Sequence, residues 1–259
     1  MIVWHVPAIV FFVYTASLAL ILRGLSSKRR LCAAGAALAG LATTALASVT
    51  SVGSFLHDWL LPPSVLLIAY WSSGCLFVSA MPRVERAFLD VDRVFRVREL
   101  AGMMATGVVE VLELAYVGVY VLIPIALALQ LTFAADADPD RFWTVILLVD
   151  FICFAMLPWI QTRPPRALEL GDPWSSSVRA HNLRLLGATS IQVNTFPSGH
   201  AAEALAAALL VTSAPTPVVI VMFLAALAVA AGAVLGRYHY LVDAVSGWLV
   251  AIVICGAFS

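Results

Sequence analysis

Eight apolar stretches run through this chain of 259 residues, at 2–22, 31–52, 60–80, 104–132, 142–160, 197–213, 218–235 and 239–257. About 20 apolar residues suffice for a helix to cross roughly 30 Å of hydrocarbon. Inside a bilayer every backbone polar group needs a partner within the chain, so stretches of this length have to be helical. Only 12% of the residues are charged and 62% are hydrophobic, whereas an ordinary soluble domain is about 25% charged. That is too little polar surface to coat a soluble globule. A soluble cytosolic enzyme and a disordered chain are excluded. So is a nucleic-acid binder, which needs a basic face; here fifteen Lys+Arg are balanced by fifteen Asp+Glu. The sequence predicts an all-α, polytopic membrane helical bundle of about six to eight transmembrane helices.

Two stretches depart from the pattern. Residues 104–132 are too long for one perpendicular crossing, so that helix is tilted, broken near Pro124 or preceded by a re-entrant turn. In 82–101, Val84, Phe88, Val91 and Phe95 recur at helical spacing among Arg, Asp and Glu, which predicts an amphipathic helix lying on the membrane surface. The first apolar stretch precedes its basic cluster (Arg23, Lys28, Arg29, Arg30), the reverse of a cleavable signal peptide. Cys32, Cys75, Cys153 and Cys255 lie in apolar surroundings with no ligand spacing and read as small hydrophobes. Gly35 and Gly40, among alanines, predict close helix packing. Residues 1–140 form an N-terminal membrane region and 141–259 a catalytic core.

With eight crossings, fourteen of the fifteen basic residues fall on one side and only Arg141 on the other. The positive-inside rule makes the former the cytoplasmic face. The expected location is a bacterial cell membrane. That face carries the longest link, 161–196, which contains Arg163, Arg166, Arg179, His181 and Arg184. A long, arginine-rich loop in a membrane bundle is where binding or chemistry concentrates.

Three pieces of sequence carry that chemistry: Arg163-Pro-Pro-Arg166, Thr195-Phe-Pro-Ser-Gly-His200 and Gly236-Arg-Tyr-His-Tyr-Leu-Val-Asp243. Two spans separate the second from the third, so both lie on the same face. His239 and Asp243 are four apart, and on a helix their side chains meet. A carboxylate on one imidazole nitrogen fixes the tautomer and makes the other more nucleophilic. Pro197 suits a first helical position, with Thr195 or Phe196 as cap, which leaves the amides of Ser198, Gly199 and His200 to receive an anion. His200 is placed to protonate a leaving oxygen. Arg163 and Arg166 supply guanidinium forks for phosphoryl oxygens. Together these groups make a set for phosphoryl transfer through a phosphohistidine, in which arginines neutralise the developing charge. No metal-ligand cluster accompanies them, and no cofactor is expected.

Pro197-Ser-Gly-His200 followed by His239-x3-Asp243 resembles the type-2 phosphatidic acid phosphatase superfamily, whose pattern is Lys-x6-Arg-Pro, then Pro-Ser-Gly-His, then Ser-Arg-x5-His-x3-Asp. The resemblance covers about residues 142–257. It implies a metal-independent lipid phosphatase or phosphotransferase with His239 as nucleophile, Asp243 as its orienting partner and His200 as general acid. Ser198 and Gly199 would hold phosphate. Two positions depart from the pattern. The first motif has no lysine: Met156 and Trp159 stand seven before Arg163 and Arg166. In this it is similar to a divergent branch that includes inositol-phosphorylceramide-synthase-like members, and both arginines remain candidate phosphate ligands. Ala233 stands where an arginine is expected six before His239, and Arg237, four residues on, is a candidate relocated ligand. The implied partners are membrane lipids and a lipid phosphate: phosphatidic acid, a polyprenyl phosphate or diphosphate, or a prenyl-linked sugar phosphate. A transferase with an alcohol acceptor such as inositol is the alternative enzyme, and a non-catalytic lipid-phosphate binder or transporter the alternative of another class.

Glu110, Glu113 and Asp150 lie in apolar stretches, where carboxylates are functional by default. Glu110 and Glu113 share a helix face that lines a path, pairs with a buried arginine or sits near the interface. Glu203 stands one turn beyond His200.

Overall fold

A computed structural model describes residues 3–48, 53–169 and 171–258. Each apolar stretch is helical, as the lack of outside hydrogen-bond partners in a bilayer requires. The order is α1 (His5–Ile21), α2 (Ser27–Ser48), α3 (Leu61–Cys75), α4 (Pro82–Val94), α5 (Val97–Gly102), α6 (Thr106–Phe133), α7 (Pro139–Met156), α8 (Ser177–Thr189), α9 (Gly199–Leu210), α10 (Thr216–Leu235) and α11 (Leu241–Ala257). There is no strand among the described residues; one isolated bridge joins Thr162 to Asn194. α2, α6 and α10 are long and apolar enough to cross a membrane, while α1, α9 and α11 are apolar but shorter. Ile2 and residues 49–52 of the first two expected spans lie outside the described residues.

α6 is one unbroken helix of 28 residues that contains Pro124. It neither breaks nor turns back. Proline has no N–H, so the carbonyl of Tyr120 loses its helical partner. The amphipathic stretch forms two helices, because Arg96 adopts a left-handed conformation (φ 52°) between α4 and α5. α8 lies within the long link and was not anticipated.

Contacts between links sort the two ends of the bundle. At one end the Arg29 guanidinium bonds to the Phe77 carbonyl, Met81 N donates to Gln161 O at 2.8 Å, and Arg166 N to Arg237 O at 3.1 Å. At the other, Trp143 Nε1 donates to Asp58 O at 2.6 Å, His57 faces Asp140, and Arg141 bonds to the Phe258 carbonyl. The first end gathers 23–30, 76–105, 157–198 and 236–240, and all three sequence motifs with them.

The largest core cluster draws residues from Trp4 to Ala251, on both sides of the 140/141 division. α9 is its pillar, packed against α6, α7, α10 and α11. Small residues set the closest approaches. A Cβ on Gly40 would strike the Phe12 ring, and one on Gly232 the Leu112 carbonyl, whereas Gly35 faces open space. Cys32 and Cys75 form a disulfide between α2 and α3. They had read as separate small hydrophobes, since the bond depends on helix packing brought together across 43 residues of chain.

Candidate functional site

His239 lies in the short link from α10 to α11. Its amide donates to Ala233 O (2.9 Å) at the end of α10, and its Nδ1 stands 3.4 Å from Asp243 Oδ2. The spacing predicted both residues on one helix. Instead His239 precedes α11, and an extended Tyr240 (ψ 158°) brings the pair together. Asp243 is fully buried. Its Oδ2 also accepts from Tyr240 N (2.8 Å) and Asn194 Nδ2 (2.9 Å). The carboxylate thus reaches back over the first turn as an N3 acid does in a capping box. With Nδ1 turned to the carboxylate, Nε2 is the imidazole nitrogen left for chemistry.

The second motif enters α9 two residues later than expected. The Phe196–Pro197 peptide is cis, and Ser198 is the cap, its Oγ accepting from Ala201 N at 3.4 Å. Ser198 N is not free, since it donates to Asp243 O at 2.9 Å. The first-turn amides of Gly199 and His200 remain as donors for an anion. The Ser198 side chain is fully buried in its capping role, and neither Ser198 nor Gly199 lines the cleft between the histidines. Gly199 leaves room for Asp150, whose Oδ1 would lie 2.8 Å from a Cβ there.

The arginines separate. Arg163 grips Glu85 of α4 with Nε and Nη2, each at 2.9 Å, and its backbone N donates to the same carboxylate. This fork holds the Glu85 carboxyl below its usual range. Arg237 meets Asp92 of α4 (2.6 Å) and Glu169 (2.9 Å) and is 2% exposed. Both guanidiniums are committed to carboxylates and neither lines the cleft. The expectation of phosphate ligands at Arg163 and Arg237 thus meets a different placement, because charge partners on α4 and in the loop were invisible to spacing. Asp92 is buried as well, and desolvation pushes its carboxyl up against the opposing effect of Leu241 N and Arg237. Arg166 alone of the three faces the histidines.

The cleft is lined by Arg166, His200 and His239 together with Tyr70, Tyr116 and Tyr238. The two imidazole centroids are 6.1 Å apart. His200 stacks on Tyr116 (5.0 Å), Tyr116 stacks on Tyr238 (4.2 Å), and the Arg166 guanidinium sits 4.9 Å over Tyr238. Tyr238 in turn donates to Glu113 (2.6 Å), which also accepts from Trp174, Arg179 and Asn182. Glu113 therefore pairs with a buried arginine, one of the three fates its position allowed. Asp150 and Glu203 are both buried in the interior. Asn194 was missed. It ties Thr162, beside the first motif, to Asp243 of the third. Its only sequence signal was nearness to Pro197, because its partners are 32 and 49 residues away.

Tyr70 of α3 and Tyr116 of α6 line the cleft, and the tail of α8 bridges the two helices through Trp71 Nε1 to Thr189 O (2.9 Å). Below that bridge Tyr120, 45% exposed on the outer face of α6, places its hydroxyl 3.2 Å from His200 Nε2.

A family model described as the PAP2 superfamily matches residues 85–257, from within α4 to the end of α11. No curated protein and no solved structure matches the chain.

Proposed function

The chain belongs to the PAP2 superfamily, and on that premise we propose that it removes phosphate from a lipid phosphate through a phosphohistidine on His239. Superfamily members are generally phosphatases, and the apolar helices make this one a membrane protein. The observation that carries the reading is the cleft in which His200, His239 and Arg166 meet, with Asp243 behind His239. Binding alone needs no carboxylate-backed imidazole.

His239 Nε2 attacks phosphorus and the bond to the lipid oxygen breaks, with His200 delivering a proton to that oxygen. Water then attacks the phosphohistidine, His200 takes up its proton, the P–N bond breaks and phosphate leaves. Arg166 and the amide of His200 face the charge on the phosphoryl oxygens. Arginine and backbone donors supply this stabilisation, so the proposed reaction is metal-independent. A lipid substrate is favoured by Tyr120, half-exposed on α6 with its hydroxyl at His200.

The test is phosphate release by purified protein in detergent with EDTA. The panel holds phosphatidic acid, polyprenyl mono- and diphosphates and a prenyl-linked sugar phosphate, and His239→Ala runs alongside. Release with EDTA present that vanishes in the variant is the expected result. Activity that survives His239→Ala overturns the assignment, and transfer seen only when inositol or a sugar is added makes the enzyme a transferase.

A further inference from the structure

The chain around His239 is held from outside its own helix. α10 ends with Gly236 as cap, Arg237 N on Val234 O (3.1 Å) and Tyr238 N on Ala233 O (2.9 Å). This is the paired closure of a Schellman ending, in which the left-handed position belongs to glycine as a rule. Here Arg237 occupies it, with φ 61°. A side chain there is unfavourable by itself and persists where the surroundings over-determine it. They do: Arg237 Nη1 donates to Asp92 Oδ2 at 2.6 Å, and its Nε to Glu169 Oε2 at 2.9 Å. The other oxygen of Asp92 accepts from Leu241 N at 2.9 Å, an amide in the unsatisfied first turn of α11. Asp92 is 3% exposed. One carboxylate therefore grips the chain two residues before His239 and two residues after it.

We propose that Asp92 is a positioning residue for His239, fixing through Arg237 and Leu241 the direction in which the imidazole faces Asp243 and the cleft. This rests on His239 being the nucleophile. Asp92 touches neither the cleft nor the imidazole. It acts by removing the rotational freedom of a short link, and displacement of a reacting group by about 1 Å costs on the order of a hundredfold in rate. It also gives Arg237 its work, which is to hold a turn.

The decisive variant is Asp92→Asn, which keeps an oxygen for Leu241 N but sets an NH2 against the Arg237 guanidinium. The kcat for phosphate release falls between ten- and a hundredfold, KM moves less than twofold, and Asp92→Glu restores part of the rate. In an Arg237→Gly background, where glycine takes the left-handed turn without the clamp, Asp92→Asn costs much less than in the native chain, as coupled residues require. A second readout needs no turnover: the rate at which diethyl pyrocarbonate modifies His239, followed by peptide mass spectrometry, changes in Asp92→Asn while that of His181 does not. If the native protein releases phosphate from no lipid, the phosphatase reading fails and the modification rates alone decide the positioning role. If Asp92→Asn does not accumulate, Asp92→Glu carries both comparisons. Native kcat with native modification rates overturns the proposal, as does a loss confined to KM. So does a loss that accompanies a lower melting temperature and is not relieved by glutamate.

Discussion

Arg163 and Arg166 are three residues apart and had equal claims as phosphate ligands; their partners give them different tasks. Replacing Arg166 by alanine removes the guanidinium over Tyr238 and lowers kcat by about 10²–10³, in line with the loss of one charged donor from a transition state. Replacing Arg163 leaves the buried Glu85 carboxylate without its fork and destabilises the protein by about 1–3 kcal/mol, with kcat of the folded fraction nearly unchanged. Initial rates and melting curves on the two variants separate these effects, and a rate loss in Arg163→Ala equal to that in Arg166→Ala defeats the distinction. The histidines and Asp243 were legible in the sequence because motif spacing fixes them locally. The choice among arginines was not, since it depends on carboxylates 68 to 145 residues distant in the chain. Asn194 and the tyrosine column escaped for the same reason.

At the scale of elements, α4 and α9 differ most from what their sequences suggested. The amphipathic pattern placed α4 on the membrane surface, but it was silent on Glu85 and Asp92, which turn inward and fasten both arginine-bearing links. Acid tests this attachment. The fork lowers the folded Glu85 value below its ordinary 4.5, so the stabilisation is fully present above pH 4.5 and is lost as pH falls through the depressed value. The melting-temperature gap between native protein and Glu85→Gln stays constant above pH 4.5 and closes below it; a gap that is the same at every pH contradicts the pairing. α9 and α11 meet where a methyl on Gly247 would run into the Ser198 carbonyl. Gly247→Ala therefore pushes the start of α9 away from Asp243, destabilising by about 1–3 kcal/mol and lowering turnover as well. Native melting and native rates in Gly247→Ala exclude this close approach. Gly35 and Gly40 looked alike in sequence, and only Gly40 has a neighbour ring.

For the whole molecule, the apolar stretches made the helices legible, though their ends shifted by a few residues wherever a cap or a left-handed residue intervened. Parity depended on α6, and its single crossing puts fourteen basic residues at the end that carries the site. The positive-inside rule leads one to expect that end in the cytoplasm. The Cys32–Cys75 bond lies at the same end, and disulfides persist in oxidising compartments. Both points are read in one experiment on intact cells. With Ser176→Cys in a background lacking the other cysteines, a membrane-impermeant maleimide leaves residue 176 unlabelled. In the native protein, Cys32 and Cys75 alkylate after lysis only once reduced. Labelling of residue 176 from outside turns the molecule over and puts its substrates in the outer leaflet.

The pillar of the bundle has a consequence for how the protein is made. α9 has twelve residues, six of them alanine, carries Glu203 and is buried on nearly every side by other helices. Such a segment has little preference for lipid when a translocon presents it alone. It enters the membrane together with α10 and α11, which are synthesised after it and cover it. His200 on α9 and His239 between α10 and α11 are therefore delivered to the bilayer in one cooperative insertion, and a nascent chain halted before α11 holds neither in place.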